Sequence, residues 1–170
     1  MQIIKSVKDL SPLNYNFSTI SFDSETNTFN DAPAPYTMLQ MEHCSIYNGE
    51  EVLVFDLFEN PNREALIHIL HAIFRDQVKT IIGHNLVFDM KVLHKTGIFC
   101  NSKKIYDTMV AQHLIDETEE LGLKFLATKY LSVDKAVDYE TAVKSGKHSD
   151  VFYQYAAHDA VWAWKLAKLQ

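Results

Sequence analysis

The chain has 170 residues, 47% hydrophobic and 22% charged, the size of one domain able to bury roughly 70% of the surface its unfolded chain exposes. Cys44 and Cys100 make neither a disulfide framework nor a metal-site spacing, and no apolar stretch nears the ~18 residues that cross a membrane. The start, MQIIKSVKDL, lacks the apolar run of a secretory signal, so collagen, coiled coil, secreted mini-protein, membrane protein and disordered tail are excluded, and an intracellular, reducing compartment is expected. Basic and acidic side chains, 16 against 22, give a net charge of −6. Residues 1–78 carry −7 (4 basic, 11 acidic) and residues 79–170 carry +1 (12 basic, 11 acidic). A polyanion site should therefore lean on the second half, or on bound cations that reverse the local sign.

In chain order, residues 16–22 (NFSTISF) alternate and are rich in β-branched and aromatic side chains, which predicts a strand. NDAPAP at 30–35 reads as a loop. Residues 36–47 and 51–56 predict a hairpin around Asn48-Gly49. Asn60-Pro61 reads as a cap for a helix running to about Arg75, with Leu66, Leu70, Ile73 and Phe74 on one face. A short buried strand is expected at 78–82, ending in Gly83, then a helix over 86–96. Asp107 caps a helix at Thr108–Ile115, and further helices are expected at 121–131 and 149–169. Antiparallel strands first, then a strand–helix–strand crossing, predict a mixed α/β sheet with helices on its faces, in one domain over 1–170.

Three places carry candidate chemistry. In Phe22-Asp23-Ser24-Glu25-Thr26 the two carboxylates stand two apart at a strand end, hence on one face. Side by side they repel, a cost that a divalent cation offsets; alone, such a pair is also what a solvated strand end looks like. Gly83-His84-Asn85-Leu86-Val87-Phe88-Asp89 lies where a strand gives way to a helix, the position at which open α/β sheets bind ligands. The blander reading is Asn85 as an N-cap and Asp89 as a complement to the helix dipole, and it is compatible with a ligand-binding role. In Tyr155-Ala156-Ala157-His158-Asp159, Tyr155 and Asp159 share a helix face and His158 points about 100° away.

Together, FDSET, GHNLVFD and YAAHD resemble, in order and spacing, the three motifs of the DEDD superfamily of exonucleases. Tyr155, four before the last Asp, marks the tyrosine branch; Gln154 stands where the histidine branch needs His. DTMVAQHLID at 107–116 and LGLKFLATKYL at 121–131 are similar to connecting segments of the proofreading domain of family A DNA polymerases, so the resemblance spans about residues 16–169. It implies a ribonuclease-H-like sheet of three antiparallel and then parallel strands, flanked by helices. It further implies a 3′→5′ exonuclease that releases nucleoside 5′-monophosphates from single-stranded or frayed DNA ends.

By the same resemblance, Asp23, Glu25, Asp89 and Asp159 hold two Mg²⁺ or Mn²⁺ ions about 3.5–4 Å apart. Asp23 bridges them, Glu25 and Asp159 complete one, and Asp89 holds the other, partly through water. Tyr155 orients the attacking water. Thr26, His84 and Asn85 match positions near the terminal nucleotide, and Phe29 an apolar wedge between the last two bases. His84 departs from the Gln of close relatives. The implied partners are a single-stranded DNA 3′ end and a DNA polymerase domain or subunit. The chain leaves no room for a polymerase region and ends inside a predicted helix, WKLAKLQ, which favours a piece of a longer polymerase over a free-standing enzyme.

Other residues carry blander expectations. Asp107 reads as a cap, Asp56 as a strand-end surface group, His68 and His71 as a polar helix edge. Glu117, Glu119 and Glu120 read as a solvated connection, Trp162 and Trp164 as core anchors, and Lys144–His148 as a solvated turn that could reach phosphates. Two rival functions stand beside the first: a ribonuclease D-like exoribonuclease with the same metal chemistry, and a non-catalytic nucleic-acid-binding module.

Overall fold

The computed structural model describes residues 1–10, 16–29, 32–133 and 137–170. In chain order come β1 (Gln2–Ile4), a 3₁₀ turn (Val7–Leu10), β2 (Thr19–Thr26), the two-residue pieces β3 (Thr28–Phe29) and β4 (Ala32–Pro33), β5 (Met41–Tyr47) and β6 (Val52–Asp56). There follow α1 (Arg63–Asp76), β7 (Thr80–Gly83), α2 (Leu86–Lys95), β8 (Lys104–Asp107), α3 (Thr108–Ile115), α4 (Leu123–Leu131), α5 (Tyr139–Lys144) and α6 (Asp150–Leu169). One six-stranded sheet runs β1-β6-β5-β2-β7-β8, and β3 pairs with β4 as a separate ribbon. β2, β5 and β6 pair antiparallel, whereas β7 and β8 add to β2 in parallel and β1 adds to β6 in parallel. The mixed sheet expected from the sequence is the one present.

Alternation decides what each face receives. On β2, Ile20 and Phe22 enter the large core with Leu66, Leu70 and Phe74 of α1 and Leu86, Val92 and Leu93 of α2. Phe22 and Phe74 meet edge to face at 5.4 Å. The other face takes α6, whose Ala156 and Ala157 pack with Val52 and Val54. Small side chains let the helix come close enough for the Ser21 hydroxyl to donate to the Ala160 carbonyl at 2.6 Å. Among the described residues no helix is long and apolar enough to cross a membrane.

Several boundaries differ from expectation. β2 runs to Thr26 rather than ending at 22, because β5 pairs with it along that length; Asp23 and Glu25 therefore lie within the strand. β5 begins at Met41, and the residues before it form a turn. α1 begins at Arg63, because Asn60 closes a turn instead of capping: its side chain accepts from the Asn62 N–H at 2.7 Å and donates to the carbonyls of Lys5 and Asp56. The short β1, β3, β4, β8 and α5 are additional to the expected elements, β4 falling within the stretch expected as a loop. The Asn48-Gly49 turn is present, with Asn48 Oδ1 accepting from the N–H groups of Glu50 and Glu51. Gly49 has φ +98°, and a Cβ there would stand 2.8 Å from the Trp164 ring, so this turn needs glycine twice over.

Candidate active site

Asp23 and Glu25 stand on the α6 face of the central strand, two residues apart, with a register irregularity just after Glu25. Asp159 reaches them from α6, one residue before the Ala160 carbonyl that Ser21 fastens to the sheet. One carboxylate oxygen from each of Asp23, Glu25 and Asp159 lies within 4.8 Å of the other two. All three residues are half-buried. Asp159 Oδ1 is buried and has no hydrogen-bond partner among the described residues.

Asp89 approaches from the opposite side of the strand, in the first turn of α2, and is 3% exposed. It is outside the 4.8 Å trio; its Oδ1 accepts the Ser24 hydroxyl at 2.6 Å. Ser24, between the two β2 carboxylates, points by alternation to the α2 side and so joins that helix to the strand. The chain turns sharply from β7 into α2. A Cβ on Gly83 would sit 2.3 Å from Leu86 Cδ2 and 3.1 Å from the Phe22 carbonyl. Asn85 caps α2 in the left-handed region at φ 58° without a side-chain capping bond. Asp107 does that work: its carboxylate accepts from the N–H groups of Asn85 (3.0 Å), Leu86 (2.8 Å) and Met109 (2.9 Å). Expected as the cap of α3, it holds the starts of both α2 and α3.

The electrostatics follow from burial and like charge. Burial first, then repulsion from Asp159, Asp89 and Glu25, pushes Asp23 well above the ordinary value of 3.8. Burial, with Asp159 and Asp89 adding, raises Glu25 from 4.5 to about 8. Burial raises Asp89 to about 7 against the opposing Ser24 hydrogen bonds. Asp159 rises to about 6 through burial, with Lys124 pulling the other way. A carboxylate set that resists ionisation, with an unpartnered buried oxygen, has the donors and the charge deficit that divalent cations with oxygen ligands satisfy.

Tyr155 is 9% exposed and packs against Phe152 and Tyr139. Burial, then the charges of Glu25, Asp159 and Asp23, raises its phenol far above 10, so it stays protonated. Lys124 of α4 sets its ammonium 4.6 Å from the centre of the Tyr155 ring and eases Asp23, Glu25 and Asp159 back toward ionisation, joined at Glu25 by Lys147. Sequence reading passed over both Lys124 and Ser24. Only Ser24 had a usable signal, its strand parity relative to Asp23 and Glu25.

Thr26 ends β2, half-buried. The Phe29 side chain lies outside the described residues. His84 is half-buried, with Nδ1 2.9 Å from the Thr108 hydroxyl, which joins the end of β7 to α3. Asn85 is exposed. His158 stacks on Trp162 and faces away from Asp159.

Three expectations about neighbouring residues are corrected. Asp56 is 1% exposed rather than on the surface, because the Tyr153 hydroxyl (2.6 Å), His148 Nδ1 (2.9 Å) and the Phe58 N–H (3.2 Å) close around it. The turn at 144–148 is not simply solvated: Lys147 pairs with Glu42 and His148 with Asp56. Glu119 bridges α3 to α4 by accepting from Gln112, Lys129 and Tyr130. His68 is exposed and His71 bonds the Gly97 carbonyl, as a helix edge should.

Comparison with known proteins gives a consistent picture. A family model described as 3′-5′ exonuclease matches residues 2–169. DNA polymerase I of Aquifex aeolicus (strain VF5) is 31% identical over 136 residues, covering 75% of this chain and 22% of that protein. DNA polymerase I of Treponema pallidum (strain Nichols) is 33% identical over 106 residues, covering 57% of this chain and 10% of that protein. The chain thus spans between a tenth and about a fifth of these relatives' length. Among solved structures, Escherichia coli RNase D superposes with a TM-score of 0.70 at 19% identity, over 99% of this chain and 43% of that one. Brucella melitensis NrnC does so with a TM-score of 0.70 at 22% identity, over 99% and 80%. Both share the ribonuclease-H-like arrangement of sheet and helices. With its sheet, its carboxylates and a family match over nearly its whole length, the chain belongs to the 3′-5′ exonucleases of the DEDD superfamily.

Proposed function

We propose that residues 1–170 act as one proofreading-type exonuclease domain. It hydrolyses the terminal phosphodiester at the 3′ end of single-stranded DNA and releases a nucleoside 5′-monophosphate. Exonucleases of this superfamily use divalent metal ions. Asp23, Glu25, Asp89 and Asp159 are the residues that would hold two of them, Mg²⁺ or Mn²⁺. Bound there, such ions supply positive charge to the phosphate and lower the pKa of a coordinated water.

The remaining roles fall to the chain's own groups. The hydrogen bond from Ser24 fixes the Asp89 carboxylate, and the Ser21–Ala160 bond fixes the height of Asp159 over the strand. Tyr155 keeps its proton, so its hydroxyl orients an attacking water by hydrogen bonding rather than removing a proton from it. Lys124 offers the phosphate a positive charge at the tyrosine face. Thr26, Phe29, His84 and Asn85 border the terminal nucleotide in this reading.

The observation that carries the proposal is the meeting of carboxylates from three distant segments, residues 23–25, 89 and 159, around one strand with charges unpaired. DNA as substrate is supported by the sequence relatives, which are DNA polymerases. They also make a polymerase region, in the same chain or as a partner, the expected companion, and a compartment where DNA is replicated the expected location. RNA is the second reading. It draws on the fold likeness to RNase D, whose structure is described as that of an exoribonuclease, and to NrnC, which has been seen bound to pGG.

The test is a matched pair of 5′-labelled single strands, one DNA and one RNA, incubated with the full chain and Mg²⁺ or Mn²⁺. Stepwise shortening with mononucleotide release, faster on DNA and lost in Asp23→Ala, is expected. Faster loss of RNA would transfer the reading to the ribonuclease class. No shortening of either strand would remove the catalytic assignment of these carboxylates.

A further inference from the structure

A second cluster lies one strand away from the carboxylate pocket and shares no residue with it. Across the sheet, Glu25 of β2 stands opposite His43 of β5, and His43 stands opposite Asp56 of β6. His148, in the turn that leads into α6, reaches back to the same carboxylate. His43 Nε2 is 3.2 Å from Asp56 Oδ1, and His148 Nδ1 is 2.9 Å from Asp56 Oδ2. One ligand atom from each of the three residues lies within 4.8 Å of the other two.

His43 is fully buried, between the rings of Phe58, Phe152 and Tyr153. Yet neither of its ring nitrogens has a hydrogen-bond partner among the described residues, because the close approach to Asp56 Oδ1 is not aligned as a hydrogen bond. A buried imidazole normally finds a partner. Here the nitrogen and the carboxylate oxygen stand 3.2 Å apart with no hydrogen bond formed between them, a spacing that two ligands of one ion share.

We propose that His43, Asp56 and His148 form a transition-metal site, suited to Zn²⁺, distinct from the Mg²⁺- or Mn²⁺-type carboxylate pocket. Ligands at about 2.0–2.1 Å from a tetrahedral Zn²⁺ sit roughly 3.3 Å apart; each imidazole lies about that far from a carboxylate oxygen of Asp56, and all three donors fall within 4.8 Å of one another. Two imidazoles and one carboxylate select a borderline ion over Mg²⁺, which prefers oxygen alone. The fourth position is left to water. Entry is through His148, whose side chain is 50% exposed. The Tyr153 hydroxyl, donating to Asp56 Oδ2 at 2.6 Å, orients the carboxylate from behind. Lys5, 3.8 Å from the same oxygen, is exposed enough to swing away.

Occupancy would tie β5, β6 and the turn before α6 to a single ion. Since α6 carries Tyr155 and Asp159, the site braces the base of the catalytic helix. The test uses the full chain carrying Asp23→Asn and Asp159→Asn, so that the carboxylate pocket cannot take the ion. Calorimetric titration with ZnCl₂ should give one Zn²⁺ per chain and a raised melting temperature, undiminished by millimolar Mg²⁺. Co²⁺ in place of Zn²⁺ should give the visible absorption bands of a histidine-ligated site. Adding His148→Ala should weaken Zn²⁺ binding at least tenfold and remove those bands. His148→Asn, which can still hydrogen-bond Asp56, should do the same and replaces the alanine variant if circular dichroism shows that one to be unfolded. No Zn²⁺ bound in the parent double variant, or binding unaffected by the His148 substitutions, overturns the proposal and leaves the exonuclease reading as it stood.

Discussion

Two acidic centres occupy neighbouring positions on the sheet, and they are built on opposite principles. Around Asp23, Glu25, Asp89 and Asp159, like charges are crowded, the easing from Lys124, Lys147 and the Ser24 hydrogen bonds is outweighed, and every carboxyl is pushed upward. Around Asp56 a single carboxylate is wrapped by donors and is pulled down to about 2. Burial is common to both, so burial does not set the sign; the count of donors against neighbouring anions does. The first centre keeps a buried carboxylate oxygen without a hydrogen-bond partner among the described residues, and the second gathers donors from the turn before α6 and from α6 itself around one carboxylate.

Substitutions should separate the two most sharply. Asp23→Ala or Asp159→Ala should lower the rate of single-strand shortening on the order of a thousandfold, comparable with losing a main stabiliser of transition-state charge. The same variants, free of divalent ions, should melt no lower than the parent, because they relieve repulsion. A metal-free melting temperature well below the parent's would contradict the crowded-charge picture. Asp56→Ala should behave in the opposite way. It leaves donors buried without their acceptor and should cost about 3 kcal/mol or more in urea unfolding. Unchanged stability would mean that Asp56 is not the hub described.

The pH response sharpens the same contrast. Glu25, Asp89 and Asp159 have folded values of about 8, 7 and 6 against ordinary values of 4.5, 3.8 and 3.8. The folded chain therefore holds protons that the unfolded chain has released, and their contribution is complete below about pH 4 and lost as pH rises through 6 to 8. Without divalent ions, the melting temperature should fall across that window; Mg²⁺ or Mn²⁺ should restore it at the upper end by binding the folded state. A metal-free melting curve independent of pH from 4 to 8 would exclude the coupling. Smallest of all, Tyr155→Phe should slow shortening by about tenfold, the worth of one orienting hydrogen bond. A loss equal to that of Asp23→Ala would make the phenol a catalytic acid or base rather than a positioning group.

Much of the fold was legible because its signals are local. The Asn48-Gly49 turn, the apolar stripe of α1 and the cap at Asp107 each rest on residues within a few positions of one another. β1, β8 and α5 were missed because three, four and six residues are too few to display a period, and pairing partners elsewhere in the chain specify them.

For the site, the sequence by itself determined that Asp23 and Glu25 share a strand face, that Tyr155 and Asp159 share a helix face, and that their order matches one family. Those are consequences of backbone periods of about two and 3.6 residues. Only the tertiary structure decided that Ser24 would hold Asp89, that Lys124 would lie over Tyr155, and that Asp56 would be enclosed by His43, His148 and Tyr153. Those partners lie tens of residues apart in sequence, and no local pattern reports which of them packing will bring within reach.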